Sequence, residues 1–276
     1  MAKLKGAVVL ITGASSGIGA ATALAFAQAG SRLVLGARRI DRLQAVAERC
    51  RALGAPEVVV RRTDLSRPGE ARSLVSAAIG NFDRVDVLVN NAGLGWVGRL
   101  LDMPEEAARE VLETNVLGVT WMIQAVLPNM LARGGGVIIN IASVVSFRPN
   151  PYSGMYSASK AAVMALSHAL RGELSGTGIK VCAVYPANTR TEFFNALDAQ
   201  GTGPSYSAEW VARTVVRTAR WPRRDAVVLG ARGLQWAETV MGGFMDHAMG
   251  ELARAQNPRL GRPTKPNRSD NHPEDA

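Results

Sequence analysis

Short apolar runs recur along the chain with amphipathic stretches between them. The runs Ala7–Ile11, Arg32–Leu35, Glu57–Arg61, Asp86–Val89, Val137–Ile141, Lys180–Val184 and Ala226–Leu229 are the strand candidates. Most are near-continuously apolar rather than alternating, as expected of strands covered on both faces. The intervening patterns predict helices over Gly17–Ala29, Ile40–Leu53, Pro68–Asn81 and Met155–Gly172, a broken or double helix over Pro104–Ala132, and one or two more after Ser207. Gly30 and Gly134-Gly135-Gly136 stand where those helices end, a position that suits glycine because the chain there turns left-handed. Strand alternating with helix implies right-handed crossovers. The expected fold class is therefore α/β, a single doubly wound parallel sheet with helices on both faces.

No repeat and no linker divides the chain, so residues 1–255 are expected to form one domain. Residues 256–276 are rich in proline, asparagine and charge, with little to bury, and read as a flexible tail. With 47% hydrophobic and 20% charged residues in 276, a largely disordered protein is excluded. Cys50 and Cys182 form no disulfide framework and no CxxC, and His168, His247 and His272 have no partners at metal-ligand spacing. A reduced, cytoplasmic setting without a metal is expected. The apolar run after Met-Ala-Lys-Leu-Lys stops at Thr12-Gly13, too short for a secretory signal, and no stretch of about 20 apolar residues is evident to cross a bilayer.

The net charge of +9 raises the question of nucleic acid. Of 32 basic residues 27 are arginine, scattered in small groups such as Arg38-Arg39-Arg42, and only 15 aromatic residues interleave with them. That pattern suits a solvated arginine-rich surface better than a stacking platform, so no nucleic-acid partner is expected.

The first strand runs into Thr12-Gly13-Ala14-Ser15-Ser16-Gly17-Ile18-Gly19. Glycines at this spacing, between a strand and an apolar helix, let the backbone approach a pyrophosphate while the helix start offers N–H groups and a positive dipole end. A plain turn of small residues is the alternative; three glycines and two serines weigh against it. The second strand ends in Gly36-Ala37-Arg38-Arg39 with no acid before Asp41. A carboxylate there would hold the ribose 2′-OH of NAD, whereas arginine accommodates the 2′-phosphate of NADP. NADP(H) is thus the expected cofactor, with Arg38 first and Arg39 second; NAD(H) stays open, since either arginine would also suit a solvated helix start.

Tyr156 and Lys160 are four apart and share a helix face. A nearby ammonium favours the phenolate, which lowers a pKa near 10 toward the working range of a proton shuttle. Ser143 follows the run Val137–Ile141, at the carboxyl edge of the sheet where ligands of open α/β folds bind. By itself such a pair is commonplace on solvated helices; downstream of the glycine turn it reads as chemistry.

Taken together, these residues resemble the short-chain dehydrogenase/reductase family over roughly residues 5–230. The resemblance implies a Rossmann-type fold and an oxidoreductase passing hydride between a nicotinamide and a carbonyl or secondary alcohol. It implies cofactor contacts at Gly13, Ser15, Ser16, Gly17, Ile18 and Gly19, at Asp64 and Leu65 beside the adenine, and at Asn91, Ala92 and Gly93. It further implies catalytic roles for Ser143, Tyr156 and Lys160, with Lys160 also holding the ribose, and a proton relay anchored by Asn115. Pro186, Thr189 and Thr191 match a nicotinamide clamp. There Ala187 replaces the usual glycine, and Thr189 stands where an apolar β-branched residue is common. The resemblance also suggests a homodimer or homotetramer.

The substrate is less legible. The family's variable loop corresponds to about Glu192–Ser207, and Gly233–Gly250 follows with apolar residues at helical spacing that suit a partner subunit, a membrane surface or a pocket for a lipophilic carbonyl compound. An acyl-thioester 3-ketoreductase and a non-catalytic NADP-binding protein on the same fold are the alternatives.

Overall fold

The computed structural model describes residues 3–192, 205–227, 248, 250–252 and 255. Residues 193–204 of the variable loop, the seventh strand beyond Val227, most of 233–250 and the tail from Gln256 lie outside the described residues.

Within them the chain runs β1 (Val8–Thr12), α1 (Gly17–Gln28), β2 (Arg32–Ala37), α2 (Ile40–Ala52), β3 (Val58–Arg62), α3 (Pro68–Phe82) and β4 (Val87–Asn90). It continues through α4 (Glu105–Leu112), α5 (Gly118–Ala132), β5 (Gly136–Ile141), α6 (Gly154–Glu173) and β6 (Ile179–Tyr185). Two-residue strands β7 (Thr189–Arg190) and β8 (Tyr206–Ser207) pair with each other before α7 (Ala208–Arg220) and β9 (Asp225–Val227). The main sheet has the order β3-β2-β1-β4-β5-β6-β9, and every pair in it is parallel. The doubly wound architecture expected from the alternation is present. The order reverses between β1 and β4, which opens a crevice at their carboxyl ends.

Strand residues alternate between the two faces. Val9 and Ile11 of β1 join Phe26 of α1, Leu43 of α2 and Val215 of α7 in one cluster. Val8 and Leu10 join Leu74 of α3, Met122 of α5 and Leu170 of α6 in the other. Both faces are covered, which is why the strands read as unbroken apolar runs. Cys50 and Cys182 are free and buried, and burial pushes each thiol up to about 11.

The long helical region is broken, as its pattern suggested. Between α4 and α5 lies one π-helical turn, Glu113–Leu117, whose wider loop turns Asn115 fully inward. Within the span Glu105–Ala132 one 18-residue window reaches a mean hydropathy of 1.2, long and apolar enough by composition to cross a bilayer. Its Val119, Met122, Ile123, Val126 and Met130 pack against the sheet, so the protein interior already accounts for that hydropathy.

Candidate active site

At the crevice, β1 and β4 are laced by side chains. Thr12 Oγ1 accepts the main-chain N–H groups of Asn91 at 3.0 Å and Ala92 at 3.1 Å. In return the Asn91 amide donates to the carbonyls of Thr12 at 2.9 Å and Gly13 at 3.2 Å. Gly13 has φ +65°, and a Cβ there would stand 2.7 Å from Ala92 Cα. A Cβ on Gly19 would stand 2.3 Å from the Gly13 carbonyl oxygen. The turn closes at this radius only with glycine at both positions.

Helix α1 starts at this turn with no acidic residue in its first turn and no side-chain cap from its N-cap residue Ser16. Neither Ser16 nor the helix's own first turn therefore supplies a side-chain partner for its leading N–H groups or a charge against its positive dipole end. Together with the glycine cradle, that donor set fits a dinucleotide pyrophosphate. Thr191 lies over the same spot, its Cβ and Cγ2 each 3.2 Å from where a Gly17 Cβ would be.

The arginines at the end of β2 point different ways. Arg39 Nη2 donates to Ser16 Oγ at 2.5 Å, over the glycine turn, while Arg38 Nη1 is tied to Glu110 Oε1 on α4 at 2.9 Å. Asp64 accepts from Ser66 N at 3.1 Å and Ser66 Oγ at 2.8 Å, forming the turn ahead of α3. Burial raises its carboxyl, but the Ser66 bonds and the charges of Arg38 and Arg67 outweigh that and leave it below the usual range. The neighbouring Leu65 is buried, its Cβ 2.9 Å from where a Gly118 Cβ would sit.

At the carboxyl end of β5, Ser143 caps a short 3-10 turn, Val144–Ser146, and its hydroxyl lies 3.5 Å from the Pro186 carbonyl. A side-chain hydrogen bond joins Ser143 to the Tyr156 phenol. One turn along α6, Lys160 is buried and donates from Nζ to the Ile141 carbonyl at 2.9 Å. Asn115 completes the group: it accepts from Leu94 N at 2.7 Å and donates to Leu94 O at 2.8 Å and Ser159 Oγ at 2.9 Å. Gly93 lets these meet, since a Cβ there would come within 3.3 Å of Asn115 Oδ1 and 3.4 Å of Lys160 Nζ.

The profile of the short-chain dehydrogenase family matches residues 7–201. The chain belongs to that family. It is an NAD(P)-dependent oxidoreductase. Among its relatives is the 11-beta-hydroxysteroid dehydrogenase A of Sesamum indicum, 39% identical over 230 residues that cover 78% of this chain and 66% of the relative. A short-chain dehydrogenase from Sphingobium yanoikuyae in complex with NADPH is 34% identical with a TM-score of 0.76, covering 87% of this chain and 95% of that one. One from Burkholderia phymatum in complex with NAD is 28% identical with a TM-score of 0.77, covering 96% and 100%.

In this short-chain dehydrogenase burial pushes the Tyr156 phenol up to about 12, against the opposing Ser143 hydrogen bond. Lys160 Nζ stands 5.8 Å from the ring centroid and is turned to Ile141, and burial pushes the ammonium itself down to about 8. Thr189 is buried in β7 with its hydroxyl donating to Ala187 O at 2.8 Å.

Several side chains at the site carried little sequence signal. Ser159, which links Asn115 to α6 and donates to Tyr156 O at 2.7 Å, lies inside the Tyr–Lys spacing but is chemically plain. Beside the start of α6, Trp96, Leu100, Pro151, Tyr152, Met155 and Gly250 are among the residues lining a cavity of about 440 Å³, next to the site in the chain but without Ser143, Tyr156 or Lys160 in its wall. Tyr152 holds φ +65°, strained for an aromatic residue, and its carbonyl accepts Gly98 N–H at 2.8 Å. A left-handed tyrosine leaves no trace in a hydrophobic pattern.

Proposed function

We propose that the enzyme uses NADP(H) in preference to NAD(H) and interconverts a lipophilic carbonyl compound and its secondary alcohol, with Tyr156 as proton donor and acceptor. The observation that carries this reading is the Ser143–Tyr156 hydrogen bond beside a buried Lys160 at the carboxyl edge of β5. The bound cofactor supplies or receives the hydride. In reduction the carbonyl π pair moves onto oxygen as hydride adds to carbon, and Tyr156 gives that oxygen its phenolic proton, which solvent later replaces. Ser143 donates a hydrogen bond to the same oxygen as charge develops. Lys160 positions the ribose, Asn115 braces Leu94 against α6, and the turn Gly13–Gly19 with Asn91, Ala92, Gly93, Asp64 and Thr191 lines the cofactor groove.

Arg39 on Ser16 supports the 2′-phosphate assignment, because the guanidinium lies over the turn that would hold the neighbouring phosphates. The apolar wall of Trp96, Leu100, Tyr152 and Met155 and the likeness to a hydroxysteroid dehydrogenase support a lipophilic substrate. The enzyme is further proposed to be cytoplasmic and, by family resemblance, to assemble as a homodimer or homotetramer. A panel of ketones, steroids and carrier-linked 3-ketoacyl thioesters, followed by NADPH absorbance, tests the reading. Turnover of bulky free ketones is expected; turnover of the thioesters alone would make the chain an acyl-thioester reductase instead.

A further inference from the structure

We infer that Glu192 is a specificity-determining residue for the cofactor: its carboxylate is the internal counter-anion of the arginine site, and it reduces the preference for NADP(H) by competing with the 2′-phosphate. The inference rests on the NADP(H) reading above. Glu192 Oε2 accepts from Arg42 Nη1 at 2.5 Å and from Arg39 Nη1 at 3.2 Å. The other amino group of Arg39 is the one on Ser16 Oγ, so a single guanidinium joins the glycine turn to this carboxylate. Glu192 follows Thr191, whose side chain lies against Gly17, and the fold brings it to arginines about 150 positions away in the chain.

The Arg42 and Arg39 hydrogen bonds hold the Glu192 carboxyl below its usual range, so it is an anion wherever the enzyme works. A guanidinium presents the same donors to a carboxylate as to a phosphate. Two arginines facing one carboxylate leave a single net positive charge for an incoming phosphate; without Glu192 they would offer two. An adenosine 2′-phosphate must therefore displace Glu192 from Arg39, whereas a cofactor with a free 2′-OH leaves that pair in place. All three side chains are about half exposed, so the effect is modest rather than decisive.

The test measures displacement of NADPH from the intact enzyme by adenosine 2′,5′-bisphosphate and by 5′-AMP, which differ in the 2′-phosphate. In Glu192→Gln, and in Glu192→Ala where no carbonyl oxygen remains to accept, the bisphosphate is expected to bind about fivefold more tightly, with 5′-AMP unchanged. The NADPH-to-NADH ratio of kcat/KM should rise by the same factor. Thermal melting at the wild-type midpoint confirms that the variants fold. Equal effects on both probes, or none, would overturn the role of Glu192. Two arms separate this from the parent reading: Arg39→Ala should collapse the discrimination between the probes, and if it survives, Arg39 does not hold the 2′-phosphate and the role of Glu192 falls with it; a wild-type enzyme that does not discriminate between the probes would instead overturn the NADP(H) reading itself.

Discussion

The Lys160 ammonium donates to the main-chain carbonyl of Ile141 at 2.9 Å, two residues before Ser143 in the chain. Helix α6 is thereby tied to the end of β5 at two points, through Lys160 to Ile141 and through Tyr156 to Ser143. Tyr156 and Lys160 are held on a packed helix and Ser143 at the cap of a short turn just past β5, which gives the preorganisation a proton-transfer site needs.

Removal of the phenolic hydroxyl in Tyr156→Phe should leave NADPH binding, followed by fluorescence titration, within about twofold of wild type. Turnover should fall by about three to four orders of magnitude, the scale of a lost positioned acid. Turnover within tenfold of wild type would remove Tyr156 from the proton path.

Lys160 gives the fold a pH signature. Its ammonium titrates near 8 when folded and near its ordinary value of 10.5 when unfolded. Below pH 8 both states are charged and the full cost of burial is present; between 8 and 10.5 the unfolded chain binds more protons, so this cost is relieved as pH rises. Cys50, Cys182 and Tyr156 act oppositely at the alkaline end, because their folded values are raised. The clean comparison is therefore wild type against Lys160→Met. In denaturant unfolding the variant should be more stable by up to about 3 kcal/mol at pH 7, with the gap closing toward pH 10. Its activity should be lost. A gap independent of pH would refute the assignment.

Asn115 makes three hydrogen bonds while fully buried. Asn115→Leu leaves Leu94 N, Leu94 O and Ser159 Oγ without that partner, so unfolding free energy should drop by about 3 kcal/mol. Urea denaturation measures it, and a loss under 0.5 kcal/mol, on the scale of a surface change, would show that water or rearrangement replaces the amide.

Gly19→Ala places a methyl 2.3 Å from the Gly13 carbonyl oxygen and 2.5 Å from Asn91 Nδ2, neither of which moves without opening the turn. NADPH affinity should fall by at least about a hundredfold, a few kcal/mol of lost binding, as measured by calorimetric titration. Gly93→Ala meets softer limits at 3.3 Å and 3.4 Å and should cost less.

Much of this was legible because covered parallel strands and helical spacing leave plain signatures. The six strands from β1 to β6 and the helices α1, α2, α3 and α6 fall within a residue or two of their sequence-based limits. The paired strands β7 and β8 were not foreseen, being two residues each and held by distant partners. The surroundings of Tyr156 were hidden for a similar reason: spacing on a helix states that Tyr156 and Lys160 are neighbours, not how dry the space around them is.

Sequence alone determined the sheet, the glycine turn at Gly13–Gly19 and the membership of Ser143, Tyr156 and Lys160 in one site, because those features depend on periodicity and local backbone demands. Tertiary structure decided which partner each polar group takes: Arg39 on Ser16 and Glu192, Arg38 on Glu110, Lys160 on Ile141, Asn115 between Leu94 and α6. Those choices are set by distance and desolvation between segments far apart in the chain, and a linear pattern carries neither.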